Sequence, residues 1–322
     1  MNKIFKLFFL ASIFCSTILP IESTLTPNNT EIIFDMDEVL IDKMGYGIYQ
    51  TKLAIGGFLQ NPFNVINFIS AMFNLKNAFV KNSNGTTTMR DDNGNKVNGL
   101  TFQFMYQGMR DPNFTSYVAW FCETIESTRW FIPGTIKIAN YLKEKGYSIN
   151  FATNKDHVSY TLTAQAFGDA LKSIPTKVFI AHPGNSASIL AQIKEFADRP
   201  TTPADYKQLA YKSLEAKPIN NIFHAPGRKP ELEYFRYVEN TIGPDKNLVF
   251  IDDQKPNSDA FNTLQENTTA LRYGINFKNP IQLADELIKL GILSETDDKK
   301  LLDDIGYSRA LKIHKPLNNV TA

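Results

Sequence analysis

Seven residues of this chain have the types and the spacing to do chemistry together: Asp35, Asp37, Thr153, Asn154, Lys229, Asp252 and Asp253. Each lies behind a short apolar run or at the start of a helical pattern. Ile32-Ile33-Phe34 leads into Asp35-Met36-Asp37-Glu38, and Ile149-Asn150-Phe151-Ala152 leads into Thr153-Asn154. Asn221-Ile222-Phe223 precedes Lys229-Pro230, and Leu248-Val249-Phe250-Ile251 runs into Asp252-Asp253. Acids crowded at the end of a buried strand repel one another and are costly to desolvate unless something compensates. A divalent cation would do so, with Lys229 and helix N-termini opposite to hold a phosphate. A set of oxygen donors without clustered His or Cys suits Mg²⁺ rather than zinc.

Taken singly, each of these signals has a plainer explanation. Asp35 and Asp37 could form a strand-end turn, and Thr153 a helix N-cap. Lys229-Pro230 could be a solvated lysine before a helix-starting proline, and Asp252-Asp253 turn formers. Their order and their common position behind strands argue for a joint role.

The elements that must position them alternate. Five β-like runs, Glu31–Phe34, Tyr147–Ala152, Lys177–Ala181, Asn247–Ile251 and Thr269–Tyr273, are separated by helical patterns. Ile136, Ala139 and Leu142 mark one helix before the stop signal Lys145-Gly146, and Leu232, Phe235 and Val238 mark another. This alternation predicts an α/β fold with a parallel sheet covered on both faces. In such a sheet the C-terminal strand ends share one edge, where ligands bind. Two stretches interrupt the pattern. Residues 43–129 carry an apolar stripe of Phe63, Ile66, Ile69 and Phe73, read as the core of a helical subdomain. They also carry a hairpin of Thr86–Arg90 and Lys96–Val97 turning near Asn93-Gly94. A shorter insertion from about Pro183 to Asn220 predicts two helices and is read as an elaboration of the core.

The ordered set resembles the haloacid dehalogenase-like (HAD) hydrolase superfamily. "DMDEVL" is similar to its first motif, "FATN" to the second, "GRKPELEYF" to the third and "FIDDQKPN", with Asn257, to the fourth. The resemblance implies a three-layer, Rossmann-like core with a mostly α-helical C1-type cap inserted after the first strand. It implies a phosphatase in which Asp35 is the nucleophile and Asp37 the general acid and base. Thr153, with Asn154, and Lys229 would bind the phosphoryl group. Mg²⁺ would be held by Asp35, Asp37 through its carbonyl, Asp252 and Asp253. Relatives that cleave carbon–halogen bonds lack the acid matching Asp37, so its presence favours phosphoryl transfer. Glu38 departs from the pattern, since many members carry Gly there. The implied layout is a core of 24–42 and 130–293, a cap of 43–129 and a C-terminal extension of 294–322.

The remaining sequence bounds the function. The formal net charge is +1 at pH 7, which argues against a nucleic-acid partner. A basic start, Met1 to Lys6, followed by an apolar stretch from Leu7 to Ile21, reads as a signal peptide cut near residue 23, hence an exported protein. Of the two cysteines, Cys15 would leave with that leader, and Cys122 reads as a buried small hydrophobe. His157, His182, His224 and His314 are scattered; His157 and His224 are placed near the site rim, and Arg228 within reach of a substrate anion. The expected partner is a small phosphorylated molecule. Two other readings stay open: a phosphomutase on the same site, and a binding module using the apolar run from Phe58 to Phe79 against a membrane or a host protein.

Overall fold

The structure, a computed structural model, describes residues 25–42, 79–81, 87–97, 99–111, 115, 130–168, 173–181, 186–214, 221–265, 267–272 and 279–307. The segment read as a leader, the stripe from Phe63 to Phe73, Cys122, His182 and His314 lie outside the described residues.

Strand β1 (Thr30–Phe34) is followed by β2 (Ile41–Asp42), β3 (Phe79–Lys81), β4 (Thr87–Arg90) and β5 (Lys96–Val97). Helix α1 (Leu100–Arg110), β6 (Trp130–Phe131), α2 (Pro133–Glu144), β7 (Ser148–Thr153) and α3 (His157–Phe167) come next. Then come β8 (Lys177–Ile180), α4 (Ser186–Asp198), α5 (Ala204–Leu214), β9 (Ile222–His224) and α6 (Leu232–Ile242). The chain continues through β10 (Asn247–Asp252), α7 (Lys255–Phe261), β11 (Thr268–Arg272), α8 (Pro280–Lys289) and α9 (Lys299–Asp304).

Six strands form one parallel sheet in the order β11-β10-β1-β7-β8-β9. Five are the runs expected as strands from the sequence, and β9 takes in Ile222-Phe223, the short apolar run that precedes Lys229. Successive side chains of a strand face opposite ways, and β1 shows the result. Ile32 and Phe34 join a cluster with Ile138, Leu142, Tyr160, Leu283 and Leu287, while Ile33 joins Tyr234, Phe235, Val238 and Phe261 on the other face. The core is therefore a three-layer, Rossmann-like α/β sandwich. Its central strand is fully buried, which is why "IIF" reads as an unbroken apolar run rather than an alternating one.

The larger insertion leaves after β2 and returns at β6, and these two strands pair antiparallel, Ile41 with Phe131 and Asp42 with Trp130. Within it, β3, β4 and β5 form an antiparallel sheet, so the described part is not purely helical. The predicted hairpin is present as β4 and β5. Gly94 takes a left-handed φ of 80° in its turn, and buried Asp91 accepts the N–H groups of Asn93 and Asn95.

The shorter insertion is not a separate elaboration. Met89, Val97, Phe102 and Met105 from the first insertion pack in one cluster with Ile189, Ile193, Tyr206 and Leu209 from the second, and with Val158 and Leu162 of α3. The buried Tyr206 hydroxyl donates to the Met105 carbonyl at 2.8 Å. Both insertions had apolar helix faces that no strand could cover, and each covers the other. At the joint, Gly99 has a φ of 90°, and a Cβ there would lie 2.3 Å from Asp156 Oδ2. Only glycine lets α1 start this close to the start of α3.

Beyond α8, Leu301, Leu302 and Tyr307 bury themselves in the main cluster beside α2. Asp298, 2% exposed, ties this segment down: it accepts the Tyr141 hydroxyl at 2.6 Å, the Lys145 ammonium at 2.9 Å and the Ser294 N–H at 2.7 Å. Lys145 and Gly146 lead into β7, so this cluster marks the N-terminal edge of the sheet. Burial works against the Asp298 charge, and the three donors outweigh it, holding its carboxyl below the usual range. Among the described residues no helix is long and apolar enough to cross a membrane.

Candidate functional site

β1 lies between β10 and β7, and Phe34 pairs with Ile251 on one side and Phe151 on the other. The residues after Phe34 therefore emerge level with Asp252 and next to Thr153. The Asp35 N–H continues the ladder by donating to the Ile251 carbonyl at 2.8 Å. The chain then turns tightly, with the Leu40 and Ile41 N–H groups both donating to the Met36 carbonyl. Met36, Val39, Leu40 and Ile41 are fully buried, which pins the loop from below and leaves Asp35 and Asp37 to point from it. Glu38 has a φ of 65°, and its N–H donates to the Ile41 carbonyl. A left-handed residue costs roughly 1 kcal/mol when it is not glycine, so glycine is the natural residue at this point of the turn.

Lys229 sits at the centre. Its ammonium, 1% exposed at the side chain, lies 2.8 Å from Asp35 Oδ1 and 2.7 Å from Asp252 Oδ2. The Phe250 ring lies 5.4 Å from the same nitrogen. Burial opposes its charge, and the two carboxylates outweigh that, raising its pKa. Asn154 fixes the Lys229 backbone from both sides: its Oδ1 accepts the Lys229 N–H at 2.8 Å, and its Nδ2 donates to the Lys229 carbonyl at 3.1 Å. The Asn154 side chain therefore places the lysine, a role not evident from its position after Thr153. The Lys229-Pro230 peptide is cis.

Asp252 is fully buried. Both its oxygens accept Asn257 Nδ2, at 2.9 and 3.1 Å, and Oδ1 also accepts the Gln254 N–H. Thr153, 1% exposed, accepts the Lys155 N–H at 3.2 Å through its hydroxyl oxygen, and that hydroxyl donates to none of the described residues. Tyr234 closes the floor, its hydroxyl donating to the Phe179 carbonyl at 2.9 Å.

The carboxylates divide into two groups. Asp35, Asp252 and Asp253 each offer an oxygen, all within 4.8 Å of one another, so this cluster could hold a metal ion. Asp37 is not part of that cluster. Its Oδ1 lies 3.2 Å from the ammonium of Lys155, a lysine 3% exposed at its side chain. Among the described residues four carboxylates and two ammonium groups gather here, a set in which a divalent cation could be held. The crowding is plain at Asp35: burial pushes its carboxyl up to about 7, Lys229 pulls the other way, and Asp252 and Asp37 push it up further.

All seven residues expected from the sequence lie at this sheet edge. Lys155 was missed, and so was the clamp that Asn154 makes on Lys229. Arg228 is 64% exposed at its side chain and lies 3.8 Å from Glu231 on the surface. The rings of His157 and His224 stack, with centroids 5.5 Å apart. Burial first, then the neighbouring His224, draws the His157 imidazole down to about 4.

No protein-family model matches the chain, and no curated protein matches it.

Proposed function

We propose that this chain is a Mg²⁺-dependent phosphatase acting on small phosphate monoesters through an aspartyl-phosphate. The observation that carries the reading is the buried Lys229 ammonium shared by Asp35 and Asp252 next to Asp253, at the C-terminal edge of a parallel sheet. The ordered motifs and their likeness to HAD-like hydrolases support it.

Asp35, Asp252 and Asp253 would hold the ion through side chains. Bound there, Mg²⁺ supplies charge neutralisation to the phosphoryl oxygens and the carboxylates. The rest is done by this chain's own residues. Lys229 and the Thr153 hydroxyl orient and neutralise the phosphoryl group. An Asp35 oxygen attacks phosphorus, the bond to the ester oxygen breaks, and Asp37 gives that oxygen its proton as the alcohol leaves. Water then attacks phosphorus and its proton passes to Asp37. The bond to Asp35 breaks, restoring the carboxylate and releasing inorganic phosphate.

The test is phosphate release from p-nitrophenyl phosphate and an alkyl monoester, with Mg²⁺ and with a chelator. Release should require the metal, and Asp35→Asn should lower kcat by about 10³-fold or more, the scale at which losing a nucleophile acts. Undiminished release by Asp35→Asn would sink the assignment.

A further inference from the structure

The split between the two acids of "DMD" has a visible cause. Asp35 is held by Lys229 on the metal side of the site, and Asp37 is held by a second lysine. We propose that Lys155 is the positioning residue for Asp37: it keeps that carboxylate out of the metal-binding cluster and in place for proton transfer at the leaving oxygen. This inference rests on the phosphatase reading above.

Three observations carry it. First, Lys155 is buried, its side chain 3% exposed, whereas a lysine without a task remains solvated. Second, its backbone is fixed at both ends. Its N–H donates to Thr153 Oγ1 at 3.2 Å, and its carbonyl accepts the Ala181 N–H at 3.1 Å. The next residue, Asp156, caps α3 by accepting the Ser159 N–H and is wedged against Gly99 of the first insertion. From this fixed backbone the buried side chain reaches Asp37. Third, the carboxylates at this edge repel one another, and the Lys155 ammonium 3.2 Å from Asp37 Oδ1 gives Asp37 a cation other than the one that Asp35 and Asp252 share.

A lysine that acts through the general acid affects substrates unequally. An alkyl leaving group needs a proton as it departs; a dinitrophenolate does not. The experiment compares Lys155→Met with wild type on an alkyl phosphate and on 2,4-dinitrophenyl phosphate at saturating Mg²⁺. The expected result is a loss of about 30-fold or more in kcat on the alkyl ester, short of the roughly 10²–10⁴-fold of general acid catalysis lost outright, because Asp37 itself remains. The loss on the dinitrophenyl ester should stay under about threefold, with KM little changed on both. Lys155→Arg, which keeps the cation, should recover most of the loss. In an Asp37→Asn background Lys155→Met should cost nothing further, since residues that act as a unit are not additive. If Lys155→Met does not fold, Lys155→Gln carries the same comparison.

Equal losses on both esters, a raised KM with kcat intact, or full additivity with Asp37→Asn would overturn the proposal while leaving the phosphatase reading in place. A wild-type protein that cleaves neither ester overturns both.

Discussion

The two edges of the central sheet carry lysine–aspartate clusters, each around a buried carboxylate, that differ in how their charges are met. At the N-terminal edge one carboxylate, Asp298, meets Lys145, a tyrosine hydroxyl and a backbone N–H. Its charge is met by those donors, and the result is an anchor for the C-terminal segment. At the C-terminal edge three carboxylates pair with two lysines, Asp253 joins Asp35 and Asp252 in a possible metal cluster, and Asp35 is pushed to about 7 by burial and by its neighbours. Among the described residues that edge gathers more acids than bases, and a perturbed carboxyl in such a cluster is the usual mark of a site that binds something. An interaction network that satisfies itself stabilises the fold; one that does not gives up stability for binding.

The same exchange, Asp to Asn, should have opposite consequences at the two edges. Asp298→Asn should lose about 1–3 kcal/mol in urea unfolding at pH 7, the range for taking one partner from a buried hydrogen-bonded group. Its folded pKa lies below the unfolded value of 3.8, so this contribution is present above that value and fades as pH falls through the folded pKa. An Asp298→Asn protein as stable as wild type at pH 7 would erase the contrast. At the site edge two groups act oppositely above that transition. His157 is drawn from 6.5 to about 4, so the unfolded chain takes up a proton in that window and the folded chain does not, whereas the Asp35 carboxyl, raised to about 7, is protonated first in the folded chain. The His157 contribution is therefore read as a difference: relative to His157→Phe, the wild type should lose about 1–3 kcal/mol as pH drops from 6.5 to 4, with the Asp298 transition below pH 4 in both. The smallest effect is the one with reversed sign. Asp35→Asn, which removes a charge from the surplus, should leave stability unchanged or raise it by about 1–2 kcal/mol. A clear loss in chelator-treated protein would show that the site is balanced after all.

Much of the core was legible because parallel strands bury both faces and stop abruptly at charged residues. Ile32-Ile33-Phe34 before Asp35, and Val249-Phe250-Ile251 before Asp252, carry that signal in their composition. Lys155 was not legible. A lysine two residues after a strand looks like any solvated loop residue, and the acid it pairs with, Asp37, lies far away in sequence. Its one cue was proximity to Thr153-Asn154. Glu38 was noted as an oddity, and its φ of 65° supplies the reason that glycine suits the position. The union of the two insertions was hidden for a related reason. The two helices of the shorter insertion were readable as helices, but a helical pattern does not name the surface that covers it.

That union has a consequence for how the molecule can change. Residues 43–129 look like a module that could be lifted out or exchanged for another. Their described core is completed by Ile189, Ile193, Tyr206 and Leu209, and by Val158 and Leu162 on the helix that follows Lys155. A graft of the first insertion alone would arrive with its apolar side open to water and would leave another exposed on the host. The roof and the floor of this protein are one inheritance, and new specificity must come from altering side chains in place rather than from trading the part.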